Sequence, residues 1–259
     1  MFLNRHKLIA ASAFMLTLSM LLLPRAALTQ TVWVDPEAEK QLKTTLNYLG
    51  DLKQFSVKTH NTIDEILELG QKVQFDFMAS LTVQRPGKML VERHGEVVDQ
   101  ILYYDGKMLT LYDTASNYFA ETSAPDSIEG MLIFAQLSLG LAAPASDLLA
   151  RDVFPLMMQD VYSALVIGEA NFNGTQCVHL AFSRPNVDFQ IWVPKTGKPL
   201  PCKYVVTDKN SFGQQSIAVV MSDWNLSPEI SDSTFSFKPP KGSMSTDFML
   251  LDANGNYVQ

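Results

Sequence analysis

Of the side chains able to do chemistry, Cys177 and His179 stand two residues apart, and Asp188 and Gln190 follow shortly after. Alternate residues of a strand share one face. If the turn at Arg184-Pro185-Asn186-Val187 closes a hairpin with Ser183 opposite Asp188, then Ala181 faces Gln190 and His179 faces Trp192. A thiol, an imidazole, an amide and a carboxylate would then line one strip, the donor set of a thiol hydrolase or a metal site. Residues two apart on a strand, however, lie about 6–7 Å apart at Cα, and a nucleophile needs its base at hydrogen-bond reach. The strip therefore reads as a packed polar stripe. Beyond the N-terminal segment the histidines are His60, His94 and His179, far apart in sequence. No nucleophile elbow, Cys-x-x-Cys pair, His-Glu-x-x-His motif or phosphate-cradling glycine loop is present. The chain is expected not to be an enzyme, with no catalytic residue, cofactor or metal.

Binding chemistry is better represented. Val73, Phe75, Phe77, Ala79, Leu81 and Val83 alternate with Gln74, Asp76, Met78, Ser80, Thr82 and Gln84, which predicts a long strand with one apolar face. Arg85 continues that face and needs an acceptor, either a helix carbonyl or a ligand head group; the alternative is a position flanking a turn in solvent. Further on, Met131, Phe134, Leu137 and Leu141 belong to a stretch that is apolar nearly all round, which predicts a buried helix. These residues would face Phe75, Phe77, Leu81 and Val83, either as a closed core or as the lining and lid of a ligand cavity. The twelve methionines, Met157 and Met158 among them, suit surfaces that re-pack around a ligand.

The elements that must position these residues follow from periodicity and turn chemistry. Asp35-Pro36 reads as an N-cap and first helical residue, with Ala38, Leu42, Leu46 and Leu49 at helical spacing before Gly50. From Phe55 the period changes to two. Turn signals at 85–88, 93–96, 105–106 and 114–117 predict strands at about 88–94, 97–104, 107–113 and 117–122. Across Asp105-Gly106, Leu102, Tyr104, Leu109 and Leu111 share one face and Ile101, Tyr103, Met108 and Tyr112 the other, so this part of the sheet is expected to be covered on both sides. A helix over 128–141 and a short one near 145–150 interrupt the pattern. Strands resume near 161–170, 174–183, 187–193, 198–208 and 214–224, with a last one over 234–237. The fold class is α+β, a large antiparallel sheet with helices gathered on one face and long enough to curl.

The ends and composition bound the setting. Arg5, His6 and Lys7 precede an uncharged run from Leu8 to Leu23, closed by Pro24. This is the layout of a secretory signal, with cleavage near Ala27-Leu28-Thr29 and a retained anchor as the alternative. Residues 1–29 are read as a signal peptide, 30–259 as one domain, and 243–259 as a loosely ordered tail. No cysteine precedes Cys177, so no lipoprotein-type acylated N-terminus is expected and the exported protein should be soluble in the periplasm, without stable membrane insertion. Loss of Arg5, Lys7 and Arg25 takes the formal charge from −7 to −10, which disfavours nucleic acid as a partner. An oxidising compartment makes a Cys177–Cys202 bridge the first thought. The two fall on strands separated by a third, however, which points to packed thiols instead.

Two sets of motifs carry a family resemblance. Leu81-Thr82-Val83-Gln84-Arg85-Pro86-Gly87-Lys88, then Tyr104-Asp105-Gly106-Lys107-Met108-Leu109, Tyr112-Asp113 and the helix with Met131-Leu132-Ile133, resemble the lipoprotein-carrier (LolA/LolB/LppX-like) fold. That resemblance implies a half-barrel of about 10–11 strands with helices over its concave face, and an Arg at position 85 that points into the cavity and holds the helical lid. Cys177-Val178-His179-Leu180-Ala181-Phe182, Asp188-Phe189-Gln190-Ile191-Trp192, Pro199-Leu200-Pro201 with Lys203, Trp224-Asn225-Leu226 and Phe235-Ser236-Phe237-Lys238-Pro239-Pro240-Lys241-Gly242 are similar to the DUF2092 family of predicted periplasmic proteins. Met89-Leu90-Val91 is aliphatic where the carrier pattern is aromatic, so the carrier's substrate does not transfer. The resemblance implies a periplasmic carrier or binding protein for a lipid, a lipoprotein acyl chain or another hydrophobic ligand. The alternative is an envelope-stress sensor that recognises lipoproteins or lipids with the same fold and relays this to an envelope protein partner.

Overall fold

Period-two alternation on both sides of the Leu67–Gln71 turn builds the longest hairpin of the protein, β2 (Gln54–Ile66) against β3 (Lys72–Gln84), in register from Gln54↔Gln84 to Ile66↔Lys72. The computed structural model describes residues 32–141, 143–231, 233–252 and 257–258; the expected export segment 1–29 and its cleavage site lie outside them. From β3 the chain meanders through β4 (Lys88–Gly95), β5 (Asp99–Tyr104), β6 (Met108–Asp113) and β7 (Tyr118–Ser123). After the helices it meanders again through β8 (Ser163–Phe172), β9 (Thr175–Ser183), β10 (Val187–Pro194), β11 (Lys203–Asp208) and β12 (Ser216–Asn225). The two meanders join where β12 pairs with β2, Ile217 opposite Ile63, a contact between residues far apart in sequence.

The result is one large curved, open sheet of 13 strands. It is mixed where an antiparallel sheet was expected: β1 (Trp33–Val34) lies parallel to β8 at one edge and β13 (Met244–Thr246) parallel to β7 at the other. Both strands are three residues or shorter and return from a helix or a long loop, so the tight-turn rule that forces antiparallel pairing does not act on them. Residues 234–237, expected as a strand, instead form a turn and an irregular stretch. Phe237 there packs on Tyr103, Tyr112 and Phe119, ring centroids 5.0–5.5 Å away. This segment covers the second apolar face of the β5–β7 region that the sequence required to be covered. Beyond it, β14 (Leu250–Leu251) pairs with β15 (Tyr257–Val258).

Helix α1 (Pro36–Asp51) starts where Asp35 Oδ1 accepts the Glu37 N–H at 2.8 Å and Pro36 fixes the first φ. Its buried stripe of Ala38, Leu42, Leu46 and Leu49 packs on Leu180, Phe182, Ile191 and Tyr204. Helix α2 (Ile128–Leu139) is capped by Ser127 and ends at Gly140, whose φ of 65° is the left-handed stop that glycine adopts without strain. Ile128, Met131, Ala135 and Leu139 pack on Phe55, Val57, Val83, Met89 and Tyr104. The cross-strand row Leu180–Ile191–Tyr204–Val219–Asn61–Phe77 places both packing surfaces on the same sheet face. The expectation that α2 is buried on every side is corrected. Ile133 and Leu137 are 59% and 67% exposed, because a helix lying on a single sheet presents one stripe to it and this helix is apolar beyond that stripe. A short 3₁₀ turn, 146–149, and α3 (Phe154–Met158) complete the layer.

Candidate functional site

Between the β2–β5 floor and a roof made of α2, Leu141 and residues 143–149 lies a cavity of about 120 Å³. Its floor follows from strand parity. Odd-numbered residues of β2, Phe55, Val57, Thr59 and Asn61, lie beside Leu81, Ala79 and Phe77 of β3 and Met89, Val91 and Arg93 of β4. Met131, Leu132 and Ala135 of α2 close the top, with Leu141, Pro144, Leu148 and Leu149 at its end. Val219, Met221 and Trp224 of β12 form one wall, and Trp224 is anchored by its indole N–H donating to the Pro201 carbonyl at 3.2 Å.

Three polar ties hold the roof to the sheet. Arg85, whose side chain is 2% exposed, donates through Nε to the Leu52 carbonyl (3.2 Å) and through Nη2 to the Leu149 carbonyl (2.6 Å), and pairs through Nη1 with Glu129 of α2 (3.3 Å). One guanidinium thus joins the end of α1, the 3₁₀ turn and α2. Burial lowers the Arg85 pKa, with Glu129 acting in the opposite sense, and arginine stays charged throughout. Tyr104 donates its hydroxyl to the Pro125 carbonyl at the entry to α2, and burial pushes its pKa up to about 12. Tyr204 donates to Asp147 Oδ2 at 2.9 Å, and burial with the adjacent carboxylate holds its proton firmly.

The residues singled out from the sequence separate here. Phe77, Leu81, Met131 and Leu141 line the cavity. Val83 is buried beneath it, Phe134 packs against the same cluster, and Arg85 lies behind the wall as the tie described above. Phe75 sits half-buried farther along β3, and Leu137 lies on the outer side of α2, away from the cavity. Thr59, Asn61, Met89, Arg93, Leu102 and Trp224 were missed. The β2 members share parity with Phe55 and the β4 members with Met89, a signal readable in sequence once the β2–β3 and β3–β4 pairings are fixed; the β12 wall has no local signal.

The Cys177/His179 strip has the register expected, with Ser183 opposite Asp188, Ala181 opposite Gln190 and His179 opposite Trp192. His179 stacks on Trp192 with centroids 3.9 Å apart and bonds Gln190 at 2.9 Å. The reading of two separate thiols is corrected: Cys177 and Cys202 form a disulfide. Cys177 lies opposite Pro194 at the end of β10, and the Cys202 N–H donates to the Trp192 carbonyl. The intervening strand therefore ends between them, leaving their Cα atoms 7.0 Å apart. A bridged sulfur offers no thiolate. On the same outer side Lys209 Nζ contacts Tyr162 Oη (2.8 Å), Ser183 Oγ (3.1 Å), the Arg184 carbonyl (2.8 Å) and Asp188 (3.1 Å). The Tyr162 bond leads in raising the Lys209 pKa, so this amine is a fixed cation and not a base. Among the described residues no group of three His, Cys, Asp or Glu is placed to hold a metal.

A family model described as "Predicted periplasmic protein (DUF2092)" matches residues 38–249. No curated protein sequence matches the chain. Solved structures similar to it include LprF from Mycobacterium bovis (14% identity, 76% of this chain and 97% of that one, TM-score 0.48) and the lipoprotein LppX from Mycobacterium tuberculosis (11%, 76% and 100%, 0.43). A LolA superfamily protein from Nitrosomonas europaea is also similar (11%, 77% and 97%, 0.36).

Proposed function

The chain belongs to the DUF2092 family of predicted periplasmic proteins, and from that premise we propose that it is a periplasmic carrier or binding protein for a lipid, an acyl chain or a similar amphiphile. The observation that carries this reading is the cavity between sheet and α2, walled by Phe55, Val57, Leu81, Val91, Leu102 and Met131. Side chains of a closed core interdigitate with few voids larger than a water molecule. A dry cavity of about 150 Å³ takes up benzene; the 120 Å³ present here is the same order, and a longer chain enters by displacing the roof. In this reading the helices cover the concave face, α2 with Leu141 and residues 143–149 is the movable lid, and Arg85 sets how firmly it closes. Phe77, Leu81, Met131 and Leu141 contact ligand, while Val83, Arg85 and Phe134 support them.

Export fits the same reading. Residues 1–29 direct secretion and 30–259 form the mature protein, released without acylation; both cysteines are committed to a bridge, the bond that persists in an oxidising compartment. Among the described residues no helix is long and apolar enough to cross a membrane. The test is native mass spectrometry of the mature protein purified without detergent from envelope-containing lysate. Co-purifying lipid should be lost in Phe77→Asp and retained in Leu137→Asp, whose side chain already faces solvent. A ligand-free mass together with no uptake of a fluorescent fatty acid would overturn the reading.

A further inference from the structure

The β12 wall of the cavity is also the wall of a second space. Met221 and Trp224 line the cavity on one side and, on the other, a cleft of about 390 Å³ between β12, the β8–β9 turn and the loop that carries Leu200, Pro201 and Cys202. Trp224 reaches this position through a β-bulge. Three steps along β12 from Ser222 to Asn225 match two along β2 from Lys58 to Ser56, and within them Asp223 adopts the left-handed conformation (φ 52°), which Asp tolerates better than most residues. In an unbroken strand the parity of Val219 and Met221 would turn Asp223 toward the cavity and Trp224 away from it. The extra residue reverses the two, and the indole packs on Phe55 with ring centroids 5.5 Å apart. Its N–H is latched to the Pro201 carbonyl at 3.2 Å, and the next residue, Cys202, is tied to Cys177 of β9 by the disulfide, so the acceptor of the latch sits on a fixed support.

The cleft is graded in polarity. Leu200 and Pro201, beside the latch, and Phe172 give it an apolar side, whereas Asn173, Thr175 and Thr196, all exposed, bring amide and hydroxyl groups to its rim. A cavity of 120 Å³ is of the size that holds a benzene ring, a fraction of a long acyl chain. Resting on the carrier reading, we propose that Trp224 is a gate between cavity and cleft. The ligand class is then a single-chain amphiphile longer than the cavity, its tail over the β2–β4 floor and its polar head at the rim of the cleft. Opening the gate breaks one hydrogen bond, Trp224 to Pro201, and swings one half-buried side chain toward the cleft, with unbranched Met221 beside it able to re-pack. The roof admits the chain, and the gate lets it lie at full length.

The experiment titrates hexanoate and laurate, which share a head group and differ in chain length, into the mature protein by calorimetry. Wild type should bind laurate more than about 10-fold tighter than hexanoate. Thr196→Trp puts bulk into the cleft from an exposed turn, where it leaves the fold intact. By denying about two methylenes a dry seat it should weaken laurate about 10- to 20-fold and leave hexanoate unchanged. Trp224→Phe keeps a ring against Phe55 but removes the latch; it should tighten laurate about 2- to 10-fold, the worth of one hydrogen bond the ligand no longer has to break, again without effect on hexanoate. Laurate binding unmoved by Thr196→Trp, or an equal change of both probes in either variant, overturns the gate and the cleft while leaving the carrier reading in place. So does a Trp224→Phe protein that binds laurate no tighter than wild type. Failure of wild type to bind either probe overturns both readings.

Discussion

Arg85→Met tests how the roof is fastened. The substitution keeps an unbranched stem of similar length but strips the donors from two backbone carbonyls, Leu52 and Leu149, and from the Glu129 carboxylate. A buried acceptor left without its donor costs about 1–3 kcal/mol. Glu129 is 30% exposed and also accepts the Arg151 N–H, so it recovers water and suffers least. The two carbonyls and the lost ion pair together predict about 3–5 kcal/mol of destabilisation, as for a buried pair with one partner removed. Against a typical stability of about 5–15 kcal/mol this is severe but leaves a folded protein in a domain of ordinary stability. Urea unfolding measures the total, and amide hydrogen exchange locates it. Protection should fall first in α2 and at 146–149, the elements the guanidinium joins, and least in β2 and β3, whose ladder bonds are untouched. Arg85→Lys should recover less than half of the loss, since one ammonium cannot meet three acceptors set apart around a planar fork. A loss below about 1 kcal/mol, or an exchange increase spread evenly over the sheet, would refute the tie.

Three further outcomes follow from particular contacts. Replacing both Cys177 and Cys202 by Ser opens a loop closed over a separation of 25 residues, worth about 3.5 kcal/mol by chain entropy, so the urea midpoint should drop accordingly. Thr45 is 1% exposed and its Oγ1 has no hydrogen-bond partner among the described residues; Thr45→Val should raise stability by about 1 kcal/mol in thermal or urea unfolding. Burial tends to raise the Asp64 pKa, but Lys72, Gln74 and the Ser216 N–H outweigh it and the net shift is downward. A carboxyl whose folded pKa is depressed contributes stability that is present above its unfolded pKa of about 4 and is lost as pH falls through the folded value. Unfolding free energy should therefore decline below about pH 4, and Asp64→Asn should flatten that limb; an identical acid slope in both proteins would refute it.

Local chemistry in the chain was enough to place most elements. Asp35-Pro36 starts a helix because capping depends on a few neighbouring atoms, and the alternation from Val73 to Val83 needs only the period-two geometry of a strand. The hairpin register of His179 on Trp192 followed from a short turn for the same reason. What lay beyond reach was set by pairs distant in sequence. The β12–β2 ladder, which supplies Val219, Met221 and Trp224 to the cavity, joins residues more than 150 apart, and no local signal specifies it. The two parallel edge strands and the Cys177–Cys202 bridge depend on where chain segments return after long excursions, and on β10 ending between the two cysteines. Parity placed Phe77 and Leu81 on the apolar face, but a helix apolar all round has no face that sequence can orient, so it could not tell Met131, turned to the sheet, from Leu137, turned to water. Periodicity thus determined which residues share a side, and tertiary packing decided which of those sides met to enclose a cavity, because enclosure is a property of surfaces brought together and not of any one segment.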